Sequence, residues 1–194
     1  MHGLVNRSIQ CFLRDTYGAA VWAAVTRGSG IGFDSFEPML SYDPSTTDAL
    51  LGASARVLDR PRETVLEDLG TYLVSHPNLE RLRRLLRFGG VTFTDFLHSL
   101  EDLPERSRLA LPDVRLPELH LADLGGGHFR LVCGPVLPGI GHVVAGLLRA
   151  MADDYGALAV LEHAGEVAGG EAVEIRLLDA SFAQGRRFEL TAGT

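Results

Sequence analysis

Residues 117–156 read PELHLADLGGGHFRLVCGPVLPGIGHVVAGLLRAMADDYG, and this stretch decides the fold class. Its first part alternates apolar and polar residues on both sides of a Gly-rich turn, which predicts two strands joined as a hairpin. Its second part places apolar residues at helical spacing on one continuous face, between Pro138 and Gly156. The residues of that face are Ile140, Val143, Val144, Leu147, Leu148 and Met151. The stretch therefore predicts a hairpin followed by an amphipathic helix.

The residues after this stretch return to a strand pattern. The segments LAVLEHA (158–164), EAVEIRLLDA (171–180) and RRFEL (186–190) are separated by turn-forming residues. In the middle segment Val173, Ile175 and Leu177 alternate with polar or charged residues, as in a half-buried strand. Turns of this length favour antiparallel pairing. We therefore expect an antiparallel sheet of about four strands at the C-terminal end of the chain.

The residues before this stretch predict helices. Apolar residues recur at helical spacing in LVNRSIQCFLRDTYG (4–18), and further helical patterns lie within 19–27, 45–59, 60–76 and 78–90. The segment TFTDFLHSLEDLPERSRLAL (92–111) also reads as a helix, although Pro104 interrupts it. Helices gathered before a sheet are typical of the α+β class. The fold class is therefore predicted as α+β.

Composition excludes several classes of function. The 194 residues carry a net charge of −7, and the basic residues are scattered, so a nucleic-acid partner is not expected. Cys11 and Cys133 lie far apart with no second pair of cysteines, which argues against a disulfide framework and a zinc site. No signal peptide and no run of 18 apolar residues is present. We therefore expect a cytoplasmic location and no membrane partner.

The N-terminal sequence carries a resemblance to a known family. MHGLVNRSIQCFLRDTYGAAVWAAV (1–25) resembles the start of the heme-nitric oxide/oxygen binding (H-NOX) domains, where a Met-x-Gly opening leads to Tyr-Gly and then Trp. Residues 41–74 and 93–121 are similar to the next two family segments, without a gap in the second. The matching positions of the opening are Met1, Gly3, Val5, Tyr17, Gly18 and Trp22. The resemblance implies one H-NOX-like domain over 1–194, with a helical N-terminal subdomain (1–62) packed on a C-terminal subdomain (63–194) of helices and the sheet.

The resemblance also implies which residues would hold the family's heme, and here they are substituted. In the family one histidine of the proximal helix binds iron, and a Tyr-x-Ser-x-Arg motif binds the heme propionates. The ungapped match puts Pro104 at the position of the iron ligand. Counting back from Gly139 and Ile140, the motif falls on Cys133, Pro135 and Leu137. All four family positions have therefore changed.

The chemistry of the substitutes predicts that the usual heme site is lost. Ligation of iron needs an imidazole nitrogen with a free lone pair, and the proline nitrogen is a tertiary amide. Propionates need hydrogen-bond donors, which Pro135 and Leu137 lack and Cys133 supplies only weakly. We therefore expect no cofactor and no metal in the usual site. His120 and His128 flank the hairpin turn as a possible facing pair, but two ligands alone do not make a metal site.

An alternative keeps heme with a substitute axial ligand. Cys133 at the former tyrosine position could ligate iron as a thiolate, although no cation that would lower its pKa is evident nearby. His98 lies six residues before Pro104, which turns it about 240° away around a helix. His142 lies near the start of the long helix but off its apolar face. Each of these three residues also has a simpler explanation as a packing or surface residue.

Two functions are consistent with these patterns. The first is a heme-free regulatory module that signals through a protein partner, such as a histidine kinase or a nucleotide cyclase. The chain ends soon after the last predicted strand, from which we expect a stand-alone domain of the bacterial type. An apolar small molecule could fill the former heme pocket. The second function is a heme-based nitric oxide or redox sensor that uses Cys133, His98 or His142. No catalytic motif is recognisable, so an enzyme is not expected.

Overall fold

The computed structural model describes residues 1–110, 116–183 and 185. The first 110 residues are mainly helical. Along the chain, one long helix follows the first two strands and precedes the last two. Single 3-10 turns at Pro77–Leu79 and Ser99–Asp102 precede two of the helices. The helices are α1 (Gly3–Tyr17), α2 (Ala19–Ser29), α3 (Pro44–Leu58), α4 (Arg62–Ser75), α5 (Glu80–Arg87), α6 (Phe93–His98), α7 (Leu103–Ala110) and α8 (Ile140–Tyr155).

Four antiparallel strands form one sheet in the order β1-β2-β4-β3. The strands are β1 (Leu119–Gly125), β2 (His128–Cys133), β3 (Leu158–Val167) and β4 (Gly170–Asp179). Helices followed by an antiparallel sheet confirm the predicted α+β class and the expected strand number. The predicted strand at 186–190 lies outside the described residues. Within the described part of the chain, no helix has the length and apolarity needed to cross a membrane.

The register of the first hairpin corrects one prediction. His120 pairs with Val132, and His128 pairs with Gly125, so the two histidines do not face each other. Gly125, Gly126 and Gly127 form the turn with positive φ angles of 62–83°, a conformation that glycine adopts without steric cost. The three glycines lengthen the turn and shift the pairing of the two strands. Among the described residues, no group of three or more His, Cys, Asp or Glu side chains is placed to hold a metal ion.

Helix α8 has the predicted buried face. Val143, Val144, Leu148 and Met151 are buried, and the helix packs between α4 and the inner face of the sheet. Gly156 ends the helix in the left-handed conformation, and its N–H binds the carbonyls of the last turn. The apolar spacing therefore predicted a buried face, although Ile140 and Leu147 of that face are only partly buried. Small residues outside it, Gly141, Ala145 and Ala152, are buried as well.

Helices α4 and α8 contact each other backbone to backbone. A Cβ atom added at Gly70 of α4 would lie 1.9 Å from the carbonyl oxygen of Val143, and one at Gly146 of α8 would lie 2.0 Å from that of Glu67. Both distances are far shorter than van der Waals contact. Glycine is therefore required at both positions for the two helices to approach this closely.

Two hydrophobic clusters fill the interior. The N-terminal cluster joins α1, α2 and α3 to the first part of α4, and its largest members include Phe12, Leu13, Trp22, Phe36, Leu50 and Leu69. The C-terminal cluster joins α6 and α8 to the sheet, and includes Phe93, Phe96, Leu97, Leu131, Met151 and Ile175. Helix α4 contributes Val65, Leu66, Leu69 and Tyr72 to the first cluster and Val74 to the second. The subdomain boundary between residues 62 and 63 stays a prediction.

The segment 93–110 is interrupted, as its proline suggested. Helix α6 ends at His98, the 3-10 turn Ser99–Asp102 follows, and α7 begins at Leu103. Pro104 is therefore the second residue of a new helix. A proline in the first turn loses no intrahelical hydrogen bond, since the N–H groups of that turn have no partner within the helix. Because of this break, the proline ring at residue 104 fits into the helix without loss of a backbone hydrogen bond.

Candidate functional site

Pro104, which the sequence resemblance assigns to the family's iron ligand, lies in the interior. The residue is buried, and its carbonyl accepts a 2.8 Å hydrogen bond from the hydroxyl of buried Ser107. Leu100 and Leu103, which precede it, are buried in the C-terminal cluster. The ring nitrogen is part of a tertiary amide and has no lone pair to give to a metal. Pro104 therefore packs in the interior and provides no ligand atom for a metal.

Cys133 lies on the inner face of β2 together with Phe129 and Leu131. Its side chain is fully buried in the C-terminal cluster. Burial raises the pKa of the Cys133 thiol to about 12, and the negative charge of Glu171 adds to the effect. Glu171 is also its direct cross-strand partner in β4. At neutral pH the residue is therefore a protonated thiol and behaves as a small apolar side chain.

The other two residues assigned to the propionate motif, Pro135 and Leu137, lie in different surroundings. Pro135 is exposed in the loop after β2, whereas Leu137 is buried in the N-terminal cluster. Neither side chain carries a hydrogen-bond donor. Arg130 does not replace the missing arginine, because it points to the outer face of the sheet and pairs with Glu174. Leu137 therefore contributes apolar contacts, and Pro135 forms part of the loop after β2.

His98 lies on the surface at the end of α6. Its side chain is 52% exposed, and Nε2 is 4.0 Å from a carboxylate oxygen of Asp123. The ring also meets the ring of Phe129 edge to face, with centroids 5.9 Å apart. The structure therefore does not bring His98 together with Cys133 or His142 in one interior site.

His142 takes part in a group that the sequence did not reveal. Its ring stacks on the ring of His163 from β3, with centroids 3.9 Å apart and an angle of 30° between the planes. His163 Nε2 lies 3.0 Å from Oε2 of Glu171, and His142 Nδ1 lies 3.3 Å from Oε1 of Glu67. We call Glu67, His142, His163 and Glu171 the histidine–carboxylate cluster. It connects α4, α8, β3 and β4 at the start of α8.

Glu171 binds the first turn of α8 through both carboxylate oxygens. The backbone N–H of Gly139 donates to Oε1 at 2.6 Å, and that of Gly141 donates to Oε2 at 2.9 Å. Burial raises the pKa of the Glu171 carboxyl, but these two hydrogen bonds and the one from His163 outweigh burial and hold the pKa below its ordinary value. The carboxylate therefore stays ionised at the positive end of the helix dipole.

The cluster is anchored to α4 by a further charge. Glu67 accepts a 3.1 Å hydrogen bond from Arg149, which lies further along α8 than His142. The Arg149 side chain is 47% exposed, so this ion pair is screened by water and contributes little stability alone. Its geometric effect is to hold Glu67 against α8. Glu67 thereby fixes the ring of His142, on which His163 stacks.

A signal for this cluster was present in the strand periodicity. Glu171 is in phase with Val173 and Ile175, the inward-facing residues of β4, and His163 is in phase with inward-facing Leu161 of β3. A charged or titratable side chain on the buried face of a strand needs a partner. Single-strand patterns could have identified the two residues as buried, but not their common partner, the start of α8.

The arrangement suits the holding of a carboxylate and not of a metal. Two backbone N–H groups and one imidazole N–H converge on one position, and the chain fills that position with its own Glu171. The residues that the resemblance assigns to the heme contact do not fit heme held in the family's usual way, because Pro104 gives no iron ligand and Pro135 and Leu137 give no donor to a propionate. The chemistry available here is anion binding and helix positioning.

Comparisons with known proteins agree with the fold. A family model described as Haem-NO-binding matches residues 2–163. Soluble guanylate cyclase gcy-31 of Caenorhabditis elegans is 26% identical over 120 residues, which cover 62% of this chain and 17% of that protein. Soluble guanylate cyclase 89Da of Drosophila melanogaster is 20% identical over 183 residues, which cover 92% and 27%. The chain thus spans less than a third of the length of these two relatives.

Solved structures show the same architecture at low sequence identity. An unliganded Fe(II) H-NOX protein from K. algicida superimposes with a TM-score of 0.78 at 16% identity, over 95% of this chain and 100% of that one. An Fe(II)NO H-NOX protein from S. oneidensis gives a TM-score of 0.74 at 17% identity, over 92% and 100%. These likenesses show the fold alone. Together with the family match over residues 2–163, they establish that the chain belongs to the Haem-NO-binding (H-NOX) family of sensor domains.

Proposed function

We propose that this chain is an H-NOX regulatory module that does not bind heme in the family's usual way and acts through contacts with a signalling protein. The observation that carries the proposal is the burial of Pro104, the residue that the ungapped match assigns to the iron ligand. A histidine there would supply the one protein bond to iron. Proline supplies none, and the local break between α6 and α7 accommodates its ring.

The start of α8 supports the same proposal. A heme propionate held near residues 133–137 would meet buried Cys133 and Leu137, which offer no strong donor. Glu171 lies directly opposite Cys133 in the sheet. An ionised carboxylate at that point repels a second carboxylate, so the local charge disfavours a propionate as well.

The proposal also favours the heme-free function over a substitute ligand. Cys133 would have to lose its proton to bind iron as a thiolate, and its pKa of about 12 opposes that loss. His98 is half exposed on the surface. His142 is held between Glu67 and the ring of His163. Each of the three would therefore have to leave its present contacts to reach a heme.

The partner is proposed from the relatives. The two curated relatives are named soluble guanylate cyclases, and this chain covers only a small part of each. We therefore propose a nucleotide cyclase or a histidine kinase as the protein that the module regulates, either as a separate chain or as part of a longer one. The module itself is proposed to be non-catalytic, and an apolar small molecule is proposed as a possible occupant of the former pocket.

An absorption experiment tests the cofactor part. The protein is produced with ample heme supply, purified, and titrated with hemin, with Pro104→His as the matched variant. We expect no stoichiometric Soret band in the unchanged protein and only the broad band of free hemin after addition. A sharp band that shifts with nitric oxide would refute the proposal. Substitution of Cys133, His98 and His142 by alanine, one at a time, would then identify the ligand.

A reconstitution experiment tests the signalling part. The activity of a candidate cyclase or kinase is measured with and without the module, both proteins being purified. We expect the module to change the rate by a saturable amount, with no dependence on heme or nitric oxide. A response that appears only after heme is loaded would contradict the heme-free function and support the sensor that uses a substitute ligand.

A further inference from the structure

The start of α8 has the form of a carboxylate-binding cradle, defined here as the N–H groups of Gly139 and Gly141 with the imidazole of His163. The three groups lie 2.6 Å, 2.9 Å and 3.0 Å from the carboxylate oxygens of Glu171. The Glu171 side chain is 12% exposed. A charged group with so little contact with water depends on these three donors for its stability.

The cradle leaves no room for larger residues. A Cβ atom at Gly141 would lie 2.6 Å from the ring of His163 and 3.0 Å from Oε2 of Glu171. Gly139 has a φ angle of 87°, in the left-handed region that favours glycine. Both glycines therefore let the first turn of α8 present its N–H groups directly to the carboxylate.

The groups that surround the cradle come from each element packed against it. His142 of α8 stacks on His163, and Glu67 of α4 holds His142 and binds Arg149. Cys133 of β2 faces Glu171 across the sheet. His163 thus has a fixed ring plane that directs Nε2 at Glu171, and Glu171 is the carboxylate that fills the cradle.

We propose that Glu171 is an internal anion that occupies the carboxylate-binding start of α8 and so excludes the carboxylate of an external ligand from it. This inference rests on the proposed function, in which the module does not hold heme. It adds a second reason, besides the lost donors, why a ligand with carboxylates is not bound here. Glu171 thus competes with an external carboxylate for these donors, and it also joins β4 to α8. An empty cradle would bind a small carboxylate such as acetate.

The test is chemical rescue of Glu171→Ala. Thermal unfolding of this variant is measured in sodium acetate or formate and, at the same ionic strength, in sodium chloride. We expect a fall in Tm of roughly 5 °C, since three donors lose a charged partner, and recovery of part of it in acetate and formate. The matched control is Glu174→Ala on the outer face of β4, whose partners Arg130 and His128 are reached by water. Acetate should not restore its stability.

For Glu171→Ala, two results would overturn the inference. One is a Glu171→Ala protein as stable as the unchanged protein, and the other is an acetate response no larger than that of Glu174→Ala. If Glu171→Ala does not fold, Glu171→Gln keeps the shape of the side chain and removes the charge. An acid unfolding profile of Glu171→Gln that equals that of the unchanged protein would also refute an ionised carboxylate in the cradle. None of these measurements involves heme, so failure of this inference and failure of the proposed function are distinguishable.

Discussion

Two regions of this molecule, Pro104 and the start of α8, carry the residues that the resemblance assigns to the two ends of the family's heme contact, and their structures differ. At Pro104, where we propose that a heme ligand has been lost, a new helix start accommodates the proline ring, and the hydroxyl of Ser107 donates to the Pro104 carbonyl. At the start of α8 the former donors are missing too, but a carboxylate and two histidines from other elements fill the space. We propose that the first region has lost a function and that the second has been rebuilt around a different set of contacts.

This difference indicates how reversible each change is. A single substitution at residue 104 would restore an imidazole at the ligand position. Restoration of an open donor set at the start of α8 requires the removal of Glu171, which also joins β4 to the helix. The stability of the fold therefore depends more on the second region than on the first.

The largest expected effect concerns the thiol in the rebuilt region. Alkylation of Cys133 by iodoacetamide at pH 8 should be slower in the folded protein than in urea by a factor on the order of 10³ or more, because its pKa rises from 9.0 to about 12 and the thiol is buried. Mass spectrometry of quenched samples gives the rate. Partly exposed Cys11 serves as the internal control. Equal rates for the two cysteines would show that this region is open to solvent.

The next effect sharpens the comparison by combining the two regions. Hemin affinity is measured by absorbance for Pro104→His and for the double variant Pro104→His with Glu171→Ala. We expect the double variant to bind about tenfold more tightly, since an emptied cradle offers charge-assisted hydrogen bonds to a propionate. Equal affinities would mean that the start of α8 does not limit access of a carboxylate, and the contrast between the two regions would fail.

A smaller effect concerns pH. The folded-state pKa of Glu171 is lower than its ordinary value of 4.5, so its ionisation contributes stability that is present above about pH 4.5 and is lost as the pH falls through the folded-state value. The difference in unfolding free energy between the unchanged protein and Glu171→Gln should therefore shrink as the pH falls below 4.5. Urea unfolding at a series of pH values measures it. A difference that grows on acidification would contradict the assigned sign.

The smallest effect is expected at the lost ligand itself. Pro104→Ala should lower the free energy of unfolding by about 1–2 kcal/mol, because the variant loses buried ring methylenes and the unfolded chain gains freedom. Urea unfolding measures this change, and circular dichroism should show unchanged helix content. A loss above about 3 kcal/mol would place Pro104 among the residues that the core requires. The lost ligand position would then be as integral to the fold as the rebuilt one.

The fold was largely predictable because its patterns are local. The apolar face of α8 and the alternation in β4 can each be read from residues that lie close together in the sequence. One helix over residues 92–111 was the natural reading, and Pro104 marked where the break would come. The sequence pattern over 45–59 indicates Ser45 or Thr46 as the N-cap of α3, two or three residues later than the observed N-cap. Asp43 caps the helix instead, with Pro44 in its first turn.

The site was predictable only in part. The family positions Pro104, Cys133, Pro135 and Leu137 follow from counting residues, and their assignment stays a prediction. The contact of Glu171 with Gly139 and Gly141 joins residues about 30 positions apart, through the pairing order of the sheet. No local pattern contains that order, so the sequence could show an inward-facing glutamate but not the helix that it binds.

The close contact of α4 and α8 has a mechanical consequence. Both helices contribute to both hydrophobic clusters, and at Gly70 and Gly146 no side chain lies between their backbones to absorb a displacement. Tilting one helix against the other would drive carbonyl oxygens into α-carbons, so the pair moves as one rigid lever. A displacement of the N-terminal helices is therefore expected to reach the sheet as a movement of both helices together.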